Sequence, residues 1–190
     1  MIFQTEAPTL EGEAVRLEPL SQDHAQGLFN RGQNRADWEY MPRACFVDLA
    51  DTRQWIDEAL TATAQQPFAL VETGKQKTVG STRFLNIRPE HKSVEIGWTW
   101  IGQDWQRTAI NTEAKLLLMT HAFESLGCLR VEFKADGRNL RSQRALERIG
   151  ATREGVLRNH MVVQQDFSRD SVYFSVIDSE WADVMLKYPR

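Results

Sequence analysis

Residues 105 to 124 read WQRTAINTEAKLLLMTHAFE, a polar, small-residue run that turns into a strongly apolar helix. The first turn of a helix leaves about four amides without intrahelical partners, and with the helix dipole they form a site for an anion. The dipole alone is worth about 0.3–1 kcal/mol to a nearby charge, so holding a diphosphate takes several directed N–H bonds and a cation such as Arg107. Gln106, Arg107, Thr108, Ala109, Ile110 and Asn111 offer those amides. The competing reading is an ordinary core helix capped by Thr108 or Asn111.

The rest of the chain limits what such a helix can belong to. With 190 residues, the sequence suits one domain, 1–190, with a core large enough to need no staples. Lysine plus arginine number 23 against 26 acids, a net charge of -3, which gives no reason to expect a nucleic-acid or membrane-surface partner. Cys45 and Cys128 are too few for a disulfide framework or a metal cluster, so no metal is expected and a cytoplasmic location fits. The opening MIFQTEAPTLEGEAVRLEPL has no basic segment ahead of an apolar core, and nowhere do 18 apolar residues run together.

Around the central helix the patterning predicts a mixed, mostly antiparallel sheet of about seven strands flanked by helices, an α+β class. AVRLEPL (14 to 20) alternates as a strand, and Ser21 or Asp23 can cap a helix reaching about Arg31. Residues 33 to 47 have no period and read as an aromatic loop. Asp51 then caps a helix with Trp55, Ala59 and Leu60 at helical spacing. PFALVET and KTVGSTRFLNI flank Thr73-Gly74-Lys75 as a hairpin. KSVEIGWTWI (92 to 101) predicts a strand with Val94, Ile96, Trp98 and Trp100 on one face and Glu95, Gly97 and Thr99 on the other. RVEFKAD, a helix from near Asn139, strands at about 152 to 163 and 170 to 177, and a short final helix complete the order.

Five stretches, VRLEPLSQDHAQGLF, EIGWTW, NTEAKLLLMTHAFESLGCLRVEFKAD, NLRSQRALERIGATREGVLR and RDSVYFSVIDSEW, together resemble the GCN5-related N-acetyltransferases (GNAT), in particular the RimJ/RimL-like ribosomal-protein N-terminal acetyltransferases. The resemblance spans nearly the whole chain and implies the GNAT fold, acetyl-CoA as cofactor, an amine-bearing acceptor, and a branch in which homodimers are common. The family's cofactor signature at the start of the central helix is Gln or Arg, two variable residues, Gly, one variable residue, then Gly or Ala. Here Ala109 and Asn111 replace the glycines; alanine suits a helical conformation, and asparagine tolerates the left-handed one. By the same resemblance Asn139 bonds the pantetheine arm, Ser142 reaches the sulfur and Arg144 the phosphates, although Asn139 is equally a natural helix N-cap. Backbone N–H groups near Trp100 and Ile101 are the implied oxyanion donors.

Acetyl transfer requires a neutral amine, and an α-amine of pKa about 8 is partly neutral at physiological pH where a lysine near 10.4 is not, so a weak or water-mediated base favours α-amines. Glu95 is the candidate base, on the strand the family places beside the thioester; a salt-bridged surface glutamate is the plain alternative. Trp38, Tyr40 and Met41, with QQDFSRD (164 to 170), flank the acceptor cleft in proteins this one resembles, while the same aromatics could simply pack a loop. His160 is a weaker cleft candidate and His121 a helix residue. GxSxG, HExxH and GxxxxGK[ST] motifs are absent. The expected function is therefore acetyl-CoA-dependent N-acetylation of a primary amine, a protein or peptide N-terminus favoured. A polyamine, amino acid or aminoglycoside acceptor, or a catalytically silent acyl-CoA-binding regulatory domain, stays open.

Overall fold

The computed structural model describes residues 7–188; Met1 to Glu6, at the head of the opening stretch read above, lie outside the described residues. Strand β1 (Leu10–Glu11) and β2 (Val15–Pro19) are followed by α1 (Ala25–Arg31) and α2 (Leu49–Thr61), then by β3 (Gln66–Glu72), β4 (Lys77–Arg88) and β5 (Ser93–Ile101). Next come α3 (Ile110–Thr120), β6 (Arg130–Asp136), α4 (Leu140–Arg148), β7 (Thr152–Val163), β8 (Phe167–Ile177) and α5 (Asp178–Leu186). They form one sheet of eight strands in the order β1-β2-β3-β4-β5-β6-β8-β7. The strand beyond the expected seven is β1, whose two residues are too few to show an alternation. No helix among the described residues is long and apolar enough to cross a membrane.

Each face of the sheet carries its own core. On one face Val94, Ile96, Val131 and Phe133 meet Ile110, Ala114, Leu118 and Met119 of α3, Leu146 of α4 with Ile149 just past its end, and Trp181 and Val184 of α5. On the other, α1 and α2 contribute Ala25, Leu28, Trp55, Ile56 and Ala59 against Ala69 and Trp100. Side chains of this size bring about 1.5–3 kcal/mol each on burial, so the two clusters hold the helices to the sheet. Leu60, expected on the buried stripe of α2, is 48% exposed, and Ile56 takes that place. The cap of α2 also differs from expectation: Asp48 accepts the Asp51 amide at 2.8 Å, while Asp51 sits in the first turn and binds Arg43 at 2.7 Å.

The orientation of α3 is fixed by one carboxylate. Glu113, in its first turn, accepts the backbone N–H groups of Glu13, Ala14 and Val15 at 2.6, 2.8 and 3.0 Å, tying the helix to the start of β2. At its far end α3 widens into a π-turn over His121–Ser125, and Gly127, at φ +66, releases the chain.

Strand β5 departs from the expected alternation. Opposite β4, Trp100 pairs with Ser81 but Gly97 with Arg83, so two residues of β5 face one of β4, and Trp98 takes a left-handed φ of 51°. This bulge reverses the phase of the strand. Val94 and Ile96 face α3 as expected; beyond the bulge Ile101 joins that core, and Trp100 turns to the α1/α2 side.

Candidate active site

Every neighbouring pair in the sheet is antiparallel except β5 and β6, which run parallel and pair only at Ser93, Val94 and Glu95 against Arg130, Val131 and Glu132. Past Glu95 the two strands part. A cavity of about 750 Å³ occupies the gap, lined on one side by α3 and α4 and on the other by residues of the loop before α2 and of β6 and β8. Within the run from Ile96 to Ile101, alternate main-chain groups of β5 have no β6 partner and face this gap. Trp100 and Ile101, the sequence-derived oxyanion donors, both line it.

On the helix side, Gln106, Arg107, Thr108, Asn111, Thr112 and Lys115 reach the cavity. Among the amides of residues 107 to 112, that of Ile110 has a partner, the Thr108 hydroxyl at 3.4 Å, and the others bind no acceptor in the described structure. Ala109 is exposed and right-handed at φ −64, so no glycine is required there. The left-handed position is Arg107, at φ 62, and not Asn111, which lies within the helix. Ile110 is 3% exposed, belongs to the core and stays outside the cavity lining, its amide bound to the Thr108 hydroxyl. Gln106 works as a clasp: its Nε2 donates to Asp37 Oδ1 at 2.6 Å and to the Ile101 carbonyl at 2.9 Å, and its Oε1 accepts from Arg141 at 2.7 Å.

Asn139 caps α4, accepting the Ser142 amide at 3.0 Å, and both residues line the cavity. The cap and the cleft position are thus held by the same residue. Arg144, expected at the phosphates, is exposed and outside the lining; Arg141 and Arg148, on the adjoining face of α4, are inside it. Lys115 was missed in the sequence, although it stands one turn after Asn111 on the same helix face. It is 8% exposed, donates to Asn111 Oδ1 at 2.5 Å, and burial, reinforced by Arg148, pulls its pKa down to about 8. Cations here and amides without acceptors make this side fit for a diphosphate.

Across the gap, Glu95 is 3% exposed, on the face opposite Val94 and Ile96. Asn86 Nδ2 donates to its Oε2 at 2.7 Å and Lys134 Nζ lies 3.1 Å from the same oxygen. Burial pushes the carboxyl above its ordinary range, against the opposing pull of Lys134 and Asn86. Asn86 and Lys134 come from β4 and β6, so their approach to Glu95 depends on strand register, which the sequence does not display.

The loop ahead of α2 splits the three acceptor candidates. Tyr40 and Met41 line the cavity. Trp38 does not: it is 1% exposed, with ring centroids 4.9 Å from both Phe46 and Trp100, and it anchors the loop instead of facing a substrate. The phase reversal in β5 creates this contact by sending Trp100 to the same side. Of the stretch QQDFSRD, expected to flank the acceptor cleft, only Arg169 lines the cavity; Gln164 Nε2 instead holds the loop, donating to the carbonyls of Trp38, Met41 and Arg43 at 2.7, 2.9 and 2.6 Å, and Arg169 donates to that of Tyr40 at 3.2 Å. His160 stays off the lining and bonds Ser171 Oγ at 3.0 Å; His121 packs near Phe84, 6.3 Å between centroids.

Residues 14–152 match the model of the acetyltransferase (GNAT) domain. A crystal structure of a GCN5-related N-acetyltransferase from Brucella melitensis superposes with a TM-score of 0.91 at 33% identity, covering 95% of this chain and 83% of that one. The Bacillus subtilis (strain 168) protein named "Putative ribosomal N-acetyltransferase YdaF" is 35% identical over 102 residues, 54% of this chain and 55% of its own length, so the match spans about half of that relative. A Vibrio cholerae spermidine N-acetyltransferase in complex with CoA and spermine shares the fold alone, at a TM-score of 0.74 and 15% identity, with 89% of this chain and 98% of that one covered. The family match over most of the sequence and the split sheet beneath α3 together make this chain a member of the GNAT acetyltransferase family.

Proposed function

We propose that the protein transfers the acetyl group of acetyl-CoA to a primary amine, with the α-amine of a protein or peptide N-terminus as the favoured acceptor, in the manner of the RimJ/RimL-like branch. The observation that carries this reading is the single cavity threading the sheet, with free amides and cations on its α3/α4 side and a buried carboxylate on the other. The amides of residues 107 to 112, Arg107, Lys115, Arg141 and Arg148 would hold the diphosphate, and Asn139 Nδ2, left over by the cap, would bond the pantetheine arm. When bound, acetyl-CoA supplies a thioester whose thiol, of pKa about 8.5, is a fair leaving group.

Glu95 takes the proton from the incoming amine, directly or through water. Its raised pKa brings it nearer that of the amine, which is what a general base needs, and Lys134 and Asn86 hold Oε2 still. The N–H groups of the β5 run without a β6 partner would stabilise the negative charge that the thioester oxygen gains when the amine adds and gives up when the thiolate leaves. Ser142, on the first turn of α4 and in the cavity lining, would give its hydroxyl proton to the leaving sulfur and recover one from solvent. No lysine-activating machinery beyond Glu95 is needed if the acceptor is an α-amine, and the ribosomal acetyltransferase name of the Bacillus subtilis relative agrees with that class.

A thiol-release assay over peptides, polyamines and amino acids, run with melting curves in acetyl-CoA, tests the proposal. Cofactor at a hundred times its dissociation constant adds about 2.7 kcal/mol to the folded state. Turnover with a free α-amine is the expected result. A melting shift without turnover on any amine would leave an acyl-CoA sensor in place of an enzyme.

A further inference from the structure

At the acceptor end of the cavity Glu95, Asp136, Lys134 and Arg169 line the wall, and both carboxylates already have an ion-pair partner other than Arg169. On the face shared by β6 and β8, Lys134 is taken by Glu95 at 3.1 Å, and Arg138 by Asp136 at 2.8 Å. Asp37 lies at the cofactor end, bound to Gln106. Arg169 is different. It lines the cavity, is 7% exposed, and forms no ion pair among the described residues. Its Nε donates to Ser171 Oγ at 3.3 Å and its Nη1 to the Tyr40 carbonyl at 3.2 Å. Both partners are neutral, and Nη2 is used by neither bond.

Asp136 and Glu95 act on this guanidinium only from beyond ion-pair distance, its direct partners are two neutral oxygens, and a planar fork with a spare N–H matches a carboxylate. Ser171, over which the guanidinium folds, is cross-strand from Asp136, and Tyr173, two residues along β8, is cross-strand from Lys134, the partner of Glu95. One such step of two residues is about 7 Å. That is more than separates the amine and carboxylate of a free amino acid, and close to the reach from an N-terminal amine at Glu95 to the side chain of the next residue.

We propose that Arg169 is a specificity-determining residue that receives a carboxylate of the acceptor, so that the preferred substrate is a chain whose second residue is aspartate or glutamate. The assignment rests on the acetyl-transfer reading above. It also accounts for the second contact of Arg169: by holding the Tyr40 carbonyl, the guanidinium joins the acceptor loop to the sheet where the anion would arrive.

The test uses the full chain, acetyl-CoA and three peptides that differ only in the second residue, Asp, Ala or Lys, alongside free aspartate and spermidine, with kcat/KM read by thiol release. The Asp peptide is expected to lead the Ala peptide by about tenfold, mainly in KM, and the Lys peptide to trail both. Added salt should shrink the lead. Arg169→Gln should bring the Asp-to-Ala ratio close to one, and Arg169→Lys should keep part of it. Equal use of the three peptides by the wild-type protein, or a preference for the Lys peptide or spermidine, overturns the proposal whether or not the variants fold. Free aspartate outperforming the Asp peptide overturns the spacing and with it the peptide assignment. Tight acetyl-CoA binding with no turnover on any acceptor defeats the transferase reading instead, an outcome separate from the others.

Discussion

Replacing Glu95 by glutamine keeps the shape and removes the proton acceptor. At pH 7 an α-amine of pKa about 8 is neutral in roughly one molecule in ten, whereas a lysine of pKa about 10.4 is neutral in only one in a few thousand. A base supplies about 10²–10⁴-fold, and an acceptor that is already partly neutral needs the lower end of that range. Glu95→Gln is therefore expected to lose about a hundredfold in kcat/KM on an α-amine peptide near neutrality, and to recover as pH rises through the amine pKa. The wild-type profile should fall on the acid side at a higher pH than an ordinary carboxylate dictates, because burial raises the Glu95 pKa. Linkage fixes the sign of the stability effect. A carboxyl raised on folding contributes stability that is present below its unfolded pKa and lost as pH climbs through the folded one, so the wild-type protein should lose ground to the variant over that window. Lys134, left beside an amide, works against this by a constant amount at neutral pH, which melting curves of Lys134→Met would isolate. Thiol release across pH 6 to about 9 measures the kinetics. A variant as active as wild type throughout would refute Glu95 as the base and leave it a structural partner of Lys134.

Ala109→Glu places an acid beside the proposed diphosphate at an exposed, right-handed position; calorimetry should show acetyl-CoA affinity down by more than about tenfold with the melting temperature little changed. Lys115→Met removes a buried cation whose pKa is pulled down to about 8, so the ligand-free protein should melt several degrees higher near neutrality, at about 2–4 °C per kcal/mol for a chain of this size, while acetyl-CoA affinity falls. Because the folded pKa lies below the unfolded one, the advantage of Lys115→Met should shrink as pH rises from about 8 toward 10.5. Gly80→Ala would set a Cβ 2.2 Å from the Trp100 carbonyl oxygen, a clash with backbone at the bulge; a loss of about 1–3 kcal/mol, with a drop in kcat, is expected from melting and turnover assays.

The elements could be read from the sequence wherever a period persisted. The central helix and the hairpin over Thr73-Gly74-Lys75 stand where the patterning puts them, because each buries a regular face; β7 also stands where expected though it is mostly exposed, and β8 begins three residues early, at Phe167. The amides without partners at residues 107 to 112 were legible for the same reason: a helix must begin somewhere, and among the described residues only the Thr108 hydroxyl turns back, to the Ile110 amide. What the sequence concealed depends on interruptions. A single residue added at Trp98 swaps the sides of Trp98 and Trp100 relative to Val94, and no local signal marks it, since tryptophan is not a residue that announces a left-handed φ. Trp38 looked like a substrate contact because its partners, Phe46 and Trp100, lie at unrelated distances in sequence. Arg169 sat unremarked inside QQDFSRD for a like reason: that Asp136 and Glu95, the carboxylates whose field reaches it, are each paired with another cation is a property of the assembled sheet.

The packing of Trp38 against Trp100 and edge-on to Phe46 has an evolutionary corollary. Tyr40 and Met41 project from a segment nailed down by its neighbours, so the residues that greet a substrate can be exchanged while the nail stays in place. A lineage carrying this scaffold can retarget itself by rewriting two or three codons, without renegotiating the stability of the protein.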